Sequence, residues 1–463
     1  MVRELDYYIK KNEKNMKRTL VLSALVAALG GLLFGFDTAV ISGTTGWLES
    51  VFELSKAQLG FTVASALIGT IIGALTIGKL ADKYGRRYVL FILALLYFIS
   101  AIGSALAWDW FSFLSFRLIG GLGVGGASVV SPMYIAEISP AKIRGRMVAV
   151  AQLNIVLGML LAYLSNYIIN GLDLGQLEWR WMFGVEAIPA ALFFILLFTT
   201  PRSPRWLIAN NLVAEARMVL EKCGTDSGNA DVEVSEIQKS LDLEHHSIKE
   251  PFFTKKYRTP IMLAVLLALF NQLSGINAVL YYAPDIFNMA GFGKSAALLN
   301  SMGVGGVFFI FTVAAMAVID KMGRKKIMII GSIGYIVSLS TTAWAFINYG
   351  DNFTEAGSMI VLGSVFLFIA SHAFGQGSII WVYLSEIFPN RVRGRGQSLG
   401  TATHWLAAAI ISWSFPLIAE FSGGYVFAVY AAFMVIQLFW VITRMVETKG
   451  VSLEEIQKKL GIE

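Results

Sequence analysis

Three ionisable residues lie inside long apolar stretches of this sequence. Asp37 interrupts the apolar run from about Leu20 to Trp47. Arg117 and Glu186 each lie about two helical turns inside another such run. A charge in the middle of a lipid bilayer is costly unless it faces a cavity or a partner, so these three residues are candidates for chemistry.

A carboxylate beside an arginine can carry a proton. The guanidinium holds the carboxylate charged, and the carboxylate can accept a proton when the arginine turns away. This is the physical requirement for coupling proton movement to a conformational change. An ion pair that only pins two helices together is the structural alternative, and the three residues alone leave both interpretations open.

The composition indicates which elements must position these residues. Of 463 residues, 56% are hydrophobic and 15% are charged, whereas soluble domains carry about 25% charged residues. A helix crosses a bilayer with about 20 apolar residues. Twelve segments of suitable length occur near 18–47, 58–81, 88–108, 110–136, 147–170, 181–200, 259–289, 296–320, 326–348, 357–387, 393–420 and 424–445. We therefore predict an all-α membrane protein with twelve transmembrane helices.

Basic residues collect in every second loop, around 83–87, 142–146, 321–326 and 391–395. Lys and Arg are enriched in loops on the cytoplasmic side of a membrane, so we expect these loops and both termini to be cytoplasmic. The net charge of +6 is then a feature of topology, and we expect no nucleic-acid partner. The single cysteine, Cys223, excludes an intrachain disulfide.

The sequence contains an internal repeat. Three motifs of the first half recur in the same order in the second: GFDTAV (35–40) as GINAVL (275–280), DKYGRR (82–87) as DKMGRK (320–325), and AEISPAKIRGR (136–146) as SEIFPNRVRGR (385–395). Two parallel six-helix bundles with a substrate site between them near the midplane are typical of transporters.

The repeat and the polar segments predict five regions. They are a cytoplasmic lead at 1–17, an N-terminal bundle at 18–200, a cytoplasmic helical linker at 201–258, a C-terminal bundle at 259–445 and a cytoplasmic tail at 446–463.

Four motifs resemble the sugar porter family of the major facilitator superfamily: GKLADKYGRR (78–87), PRSPRWL (201–207), NQLSGINAVLYYAP (271–284) and VETKG (446–450). The resemblance extends from about residue 18 to 455. It implies the major facilitator fold, and it covers both bacterial xylose/glucose–proton symporters and animal glucose facilitators.

Some residues depart from the family pattern. Arg202 and Val446 stand where the motifs after helices 6 and 12 usually have Glu and Pro. Asn271, Phe308 and His404 replace usual residues in or near the expected sugar pocket. These differences leave the identity of the substrate open.

The resemblance implies proton coupling by Asp37, Arg117 and Glu186. The family's proton symporters carry Asp, Arg and Glu at the matching positions, whereas the animal facilitators, which move sugar without protons, have Asn in place of Asp37. The second-half counterpart of Asp37 is Asn277, which cannot titrate. We therefore predict that Asp37 is the proton carrier, Arg117 its counter-charge and Glu186 a supporting group.

A sugar needs side chains that donate and accept hydrogen bonds, together with an aromatic platform. The resemblance assigns substrate binding to Phe34, Gln152, Asn271, Gln272, Asn277, Trp381, His404 and Trp405, and an outer gate to Tyr281 and Tyr282. Plain helix packing is the alternative for the amides and aromatics. A break at Gly275 would let Gln272 and Asn277 face one cavity. His404 could be a hydroxyl ligand, a titrating group or a neutral buried imidazole.

Charged motifs at the helix ends imply a cytoplasmic latch. Its predicted members are Asp82, Gly85, Arg86, Arg87, Glu137, Arg144, Asp320, Gly323, Arg324, Glu386 and Arg393. Because the layout occurs twice, we predict salt bridges between the halves that form when the inside is shut and break when it opens. Orientation signals alone are the alternative.

The sequence predicts a secondary active transporter that moves a monosaccharide, a hexose or a pentose, together with protons by alternating access. A uniport facilitator or an inositol-type polyol carrier of the same fold is the alternative. We expect no enzyme activity, catalytic residue, metal site or cofactor, since the GGLGVGG run (120–126) fits close helix packing. We expect a monomer that contacts lipid, sugar and protons in a bacterial inner membrane.

Overall fold

In a computed structural model of the protein, the backbone is described for residues 2–225, 229–245, 251–350, 352–389, 391–451 and 453–462. Side chains are described for 18–140, 143–225, 229–241, 251–319, 321–350, 352–389, 391–451 and 455–462. The described chain is helical without strands, which confirms the predicted all-α class.

The described residues contain twelve helical segments that are long and apolar enough to cross a membrane. Spans 1 to 6 are Arg18–Gly43, Lys56–Tyr84, Arg86–Ala105, Trp110–Ile138, Ile143–Asn170 and Gly175–Thr199. Spans 7 to 12 are Lys255–Tyr281, Lys294–Ile319, Arg324–Tyr349, Glu355–Glu386, Arg393–Phe421 and Gly423–Arg444. The predicted multi-pass architecture is confirmed.

Most spans are single α-helices, and a few are built from shorter pieces. The single helices are Val2–Val40, Lys56–Tyr84, Arg86–Ala105, Trp110–Ile138, Ala141–Asn170, Lys294–Met322, Arg324–Tyr349, Arg393–Phe421 and Gly423–Arg444. The broken spans use Glu178–Gly184 and Ala187–Leu196 in span 6, Arg258–Leu273 and Ile276–Tyr281 in span 7, and Glu355–Phe374 and Gln376–Glu386 in span 10.

Shorter helices lie outside the spans. They are Thr45–Val51 after span 1, Ala283–Met289 after span 7, Pro204–Ala209, Val213–Cys223 and Ala230–His245 in the linker, and Leu453–Lys459 in the tail. We call the side of the molecule that carries the linker and tail helices the linker side. The opposite side, with the loops at 44–55 and 282–293, is the far side.

The halves meet along two interfaces related by the internal repeat. Span 2 packs on span 11, and span 5 packs on span 8. Because a repeat of six spans makes 2 equivalent to 8 and 5 equivalent to 11, the two interfaces are equivalent. The substrate site expected at the midplane would lie between them, lined by spans 1 and 7.

Glycines permit the close helix contacts that hold this arrangement. A Cβ at Gly121 would collide with the carbonyl of Ala66, and one at Gly125 would collide with that of Thr70. The glycine run of span 4 therefore packs directly on the backbone of span 2, as its sequence predicts. This contact fixes the depth of Arg117 within the first half.

Candidate functional site

The centre of the first half contains a buried ion pair. Nη1 of Arg117 in span 4 lies 2.5 Å from Oδ1 of Asp37 in span 1. Nη2 of Arg117 also donates to the backbone carbonyl of Asp37 at 3.4 Å. The two residues are 1% and 2% exposed, so each charge depends on the other for compensation.

Glu186 completes the predicted trio without sharing its ion pair. It lies between the two helices of span 6 and is 1% exposed. Its carboxyl makes no hydrogen bond or ion pair with any residue that the structure describes, yet it lies within electrostatic range of Asp37 and Arg117. The guanidinium of Arg117 therefore has two possible acidic partners, Asp37 and Glu186. Its Nε has no hydrogen-bond partner among the described residues.

Local sequence makes room for this pair. A Cβ at Gly120 would lie 3.4 Å from Oδ1 of Asp37 and would collide with Ser100. Gly120 follows Arg117 by three residues, so both lie on the same face of span 4. The guanidinium of Arg117 also lies 5.4 Å from the ring centre of Phe183 in span 6.

In the second half, span 7 brings the predicted amides together. Gly275 adopts φ +83°, a left-handed conformation that favours glycine, and it separates the two helices of the span. Nδ2 of Asn277 donates to Oε1 of Gln272 at 2.9 Å, and Nε2 of Gln272 donates to Oδ1 of Asn271 at 3.1 Å. The break predicted from Gly275 is present.

Aromatic side chains lie beside the amides. Nε2 of Gln272 is 3.2 Å from Nε2 of His404 in span 11. The His404 ring lies 5.1 Å from Trp381 and 4.8 Å from Trp405, centre to centre. Trp405 in turn lies 5.6 Å from Phe34 of span 1. The cluster therefore joins both halves.

Gln152 is separate from this hydrogen-bonded cluster. It is half-buried in span 5, and its amide has no hydrogen bond to a described residue. Its assignment to the substrate stays a prediction.

One group of polar residues was missed by sequence reasoning. Span 10 breaks at Gly375, and Nδ1 of His372 lies 2.5 Å from the hydroxyl of Tyr335 in span 9. Two nearby glycines, Gly375 and Gly377, were the available signal for the break. Nothing in the linear sequence indicated that Tyr335 would meet His372.

The halves are joined on the far side. Thr45 donates to Oδ2 of Asp285 at 2.8 Å, and Nζ of Lys294 lies 2.9 Å from Oε1 of Glu178. The hydroxyl of Tyr163 donates to the carbonyl of Leu280 at 2.7 Å. Each bond connects one half to the other, so this face of the molecule is closed.

The predicted gate residues are both buried near this closure. Tyr281 is 4% exposed and lies near Thr38 of span 1. Tyr282 is 2% exposed, and its hydroxyl donates to the carbonyl of Ser412 in the second half at 3.0 Å. Only Tyr281 lies at the border between the halves.

On the linker side, the predicted ion pairs lie within each half. Nε of Arg86 lies 3.0 Å from Glu137, which also accepts from Ser203 at 2.5 Å. In the second half, Arg324 lies 2.9 Å from Glu386, which accepts from Thr448 at 2.6 Å. The two arrangements are equivalent, as the repeat predicts.

Other latch residues take different positions. Asp82 lies 3.1 Å from Arg86. Arg87, Arg144 and Arg393 donate to backbone carbonyls of their own half rather than to the predicted acids. The side chain of Asp320 lies outside the described residues.

Two glycines position the latch arginines, since Gly85 and Gly323 have φ +90° and +89° at the ends of spans 2 and 8. A salt bridge between the halves stays a prediction for a state in which the linker side is closed.

The tail motif interacts with the same glycine turn. Partial burial raises the pKa of the Glu447 carboxyl, but hydrogen bonds from the backbone N–H groups of Lys449, Arg324, Lys325 and Thr448 lower it, and the net pKa is below the ordinary value. Glu447 is therefore held as an anion at the start of span 9. The tail motif (446–450) therefore contacts the Arg324–Glu386 pair of the second half, as the 201–207 motif contacts the Arg86–Glu137 pair of the first half.

Two six-helix halves, a buried polar cluster where the halves meet, and discontinuous helices define the class of secondary transporters with the major facilitator fold. A family model described as sugar (and other) transporter matches residues 23–460. The chain therefore belongs to this sugar transporter family, whose members are transport proteins rather than enzymes.

Individual relatives support the same assignment. The chain is 40% identical to a D-xylose-proton symporter of Escherichia coli, with 94% of each chain covered, and 38% identical to an arabinose-proton symporter of Bacillus subtilis, with 95% and 94% covered. A partially occluded inward open structure of the E. coli xylose transporter superposes with a TM-score of 0.83 at 39% identity, covering 94% of this chain and all of that one.

Proposed function

We propose that this protein is a proton-coupled symporter of a monosaccharide and works by alternating access. The observation that carries the proposal is the buried Asp37–Arg117 pair with an unpartnered Glu186 beside it. The pair lies in the first half, and the amide–aromatic cluster suited to sugar lies mainly in the second half, with Phe34 contributed by span 1. The xylose and arabinose symporters named above are proton-coupled, which favours the same coupling here.

The proton step follows from the contacts of Arg117. While Asp37 is charged, it holds the guanidinium at 2.5 Å. A proton on Asp37 removes the charge that attracts Arg117, and the guanidinium can then turn towards Glu186. The proton is released when Arg117 returns. Asp37 is the carrier, Arg117 the counter-charge and Glu186 the alternative partner.

The sugar step uses the amides of span 7. Gln272 and Asn277 bond to each other at 2.9 Å. A sugar hydroxyl both donates and accepts, so it can replace this bond without leaving either amide unpaired. Gln152 would add a contact from the first half, while Trp381, Trp405, His404, Asn271 and Phe34 supply the remaining wall. A sugar held by both halves would favour closure around it.

The sides of the membrane can be assigned from charge. The basic loops lie on the linker side, so we infer that this side and both termini are cytoplasmic. The closed far side would then face outward, and the described conformation would be open or partly open to the cytoplasm. Location in a bacterial inner membrane and function as a monomer belong to the same proposal.

The test is a pH measurement in lightly buffered, de-energised cells that express the protein. Xylose, arabinose, glucose and myo-inositol are added singly, and external pH is followed. Alkalinisation with one compound is expected and identifies the substrate. Labelled uptake of a compound without alkalinisation would establish the uniport alternative instead, and no uptake of any compound would overturn the proposal.

A further inference from the structure

His372 is anchored at one ring nitrogen and free at the other. Its side chain is 5% exposed at the end of the first helix of span 10. Nδ1 lies 2.5 Å from the hydroxyl of Tyr335, which is fully buried in span 9. Nε2 has no hydrogen-bond partner in the described part of the chain. Nε2 is therefore available to hydrogen-bond a ligand.

The break in span 10 creates the space that the ring occupies. A Cβ at Gly377 would lie 3.0 Å from Nε2 of His372, so a glycine is needed for the ring to lie against the backbone there. Gly375 ends the preceding helix. Interrupted backbone at membrane depth is tolerated where it lines a cavity or is buried in protein, and transporters use it at substrate sites.

The ring of His372 lies near the cluster already assigned to the substrate. The ring of Phe308 from span 8 meets His372 edge-on, with centres 5.7 Å apart. His372 and His404 are also close enough to interact electrostatically. Phe308 is apolar and cannot satisfy Nε2. His372 therefore contributes a polar group on this side of the cluster.

Tyr335 and Gln376 position the ring. The hydroxyl of Tyr335 lies 3.5 Å from Oε1 of Gln376, and Nε2 of Gln376 is buried without a hydrogen-bond partner. If the hydroxyl donates to Nδ1, Nε2 of His372 carries the hydrogen. If Nδ1 donates to the hydroxyl, Nε2 is an acceptor. A hydroxyl group of a ligand can complement either tautomer.

We propose that His372 is a specificity-determining residue whose Nε2 hydrogen-bonds one hydroxyl of the transported sugar, with Tyr335 as its positioning residue. This inference rests on the proposed function and deepens it. The chain should select substrates that carry a hydroxyl at the position facing spans 8 and 10, and it should discriminate against analogues that lack only that group.

The test pairs His372→Phe with single-deoxy analogues of the sugar that the wild type transports. Phe keeps an aromatic ring and removes both nitrogens. The measurement is the concentration for half-maximal counterflow in proteoliposomes. We expect His372→Phe to raise this half-maximal concentration about tenfold or more for the full sugar. For one deoxy analogue the change should be less than about twofold, because that analogue lacks the hydroxyl that would bond His372 and so has no hydrogen bond to lose.

Tyr335→Phe should show the same analogue pattern with a smaller effect, because the ring stays but loses its anchor. Thr342→Val is the matched control. It removes a buried hydrogen bond of 2.8 Å between Thr342 of span 9 and Ser364 of span 10, and it should affect all analogues equally or not at all.

Two results would overturn the inference while leaving the proposed function intact. One is an equal rise for the full sugar and every deoxy analogue in a His372→Phe protein that melts at the wild-type temperature, since that indicates a structural role. Another is no rise for any compound. If instead the wild-type protein exchanges no sugar, the proposed function itself fails.

Discussion

Replacement of Asp37 by Asn separates proton coupling from sugar binding. The amide preserves the size of the side chain and removes its charge. Arg117 would lose the ion pair at 2.5 Å and keep its hydrogen bond of 3.4 Å to the backbone carbonyl of residue 37. Asn277, which is buried at the equivalent position of the second half, shows that this position of the repeat accommodates an amide.

The size of the effect follows from the proton gradient. A difference of one pH unit across the membrane is worth about 1.4 kcal/mol, or a tenfold accumulation for one proton per sugar. The wild type should therefore accumulate sugar about tenfold per pH unit. Asp37→Asn should reach equal concentrations on both sides and still exchange labelled for unlabelled sugar.

Asp37→Asn should also lower the free energy of unfolding. Removing one partner of a buried ion pair costs about 3–5 kcal/mol when the other charge is left alone. Glu186 is buried, unpartnered and within electrostatic range of Arg117. It can take over the guanidinium, so we expect a loss below this range. Asp37→Asn combined with Glu186→Gln should cost more than the sum of the single changes.

The assay is uptake of labelled sugar into proteoliposomes with an imposed pH gradient, followed by counterflow without a gradient. Asp109→Asn is the matched control. Asp109 accepts from the backbone N–H of Ser112 at 2.7 Å as the cap of span 4, and Asn caps equally well. Uphill uptake by Asp37→Asn would refute the assignment of the proton carrier. Loss of exchange in a folded variant would make Asp37 a structural charge.

Three further changes test the remaining parts of the site. Gln272→Ala should raise the half-maximal sugar concentration about tenfold with coupling preserved, because hydrogen bonds to sugar are lost, and counterflow measures this. Lys294→Ala removes one of the three described contacts across the far side, so it should increase the fraction of molecules that are open there. Lys56→Ala removes an ion pair with Glu49 within the first half and should not. Thiol labelling of a cysteine introduced between the halves reports the difference. Cys223 should stay unlabelled in that assay because burial raises the pKa of its thiol to about 11. Glu137→Gln should weaken the pair with Arg86 by about 1 kcal/mol. If Glu137 also bridges the halves when the linker side is closed, labelling from that side should increase, and unchanged labelling would contradict a latch.

The sequence predicted the elements whose cause is local. Apolar length gave twelve spans, and the left-handed turn at Gly275 appears where a glycine interrupts a polar stretch of span 7. The equivalent turns at Gly85 and Gly323 follow from a repeated motif. Each feature depends on the residues of one segment, so one sequence is sufficient to find it.

The contacts that sequence reasoning missed join distant segments. His372 meets Tyr335 across 37 positions, and both residues lie in long, mainly apolar helices. When a helix is apolar on every face, its hydrophobic periodicity does not reveal towards which neighbouring helix a polar side chain points. The partners of Arg87 and Arg144 were missed for a related reason, since a guanidinium can satisfy itself on backbone carbonyls that a motif does not reveal.

The two halves have diverged in a way that suits coupling. The first half has the buried Asp37–Arg117 pair, while the second half has the amide of Asn277 at the position related to Asp37. The break at Gly275 connects them, because Tyr281 beyond the break lies near Thr38, next to Asp37. Leu280, the residue before it, accepts a hydrogen bond from Tyr163 of the first half. If sugar rearranges the Gln272–Asn277 bond as proposed, the segment that moves with it contacts Thr38, the neighbour of the proposed proton carrier Asp37. We propose that this short piece of span 7 is one route by which sugar bound in the second half affects the charge pair of the first half.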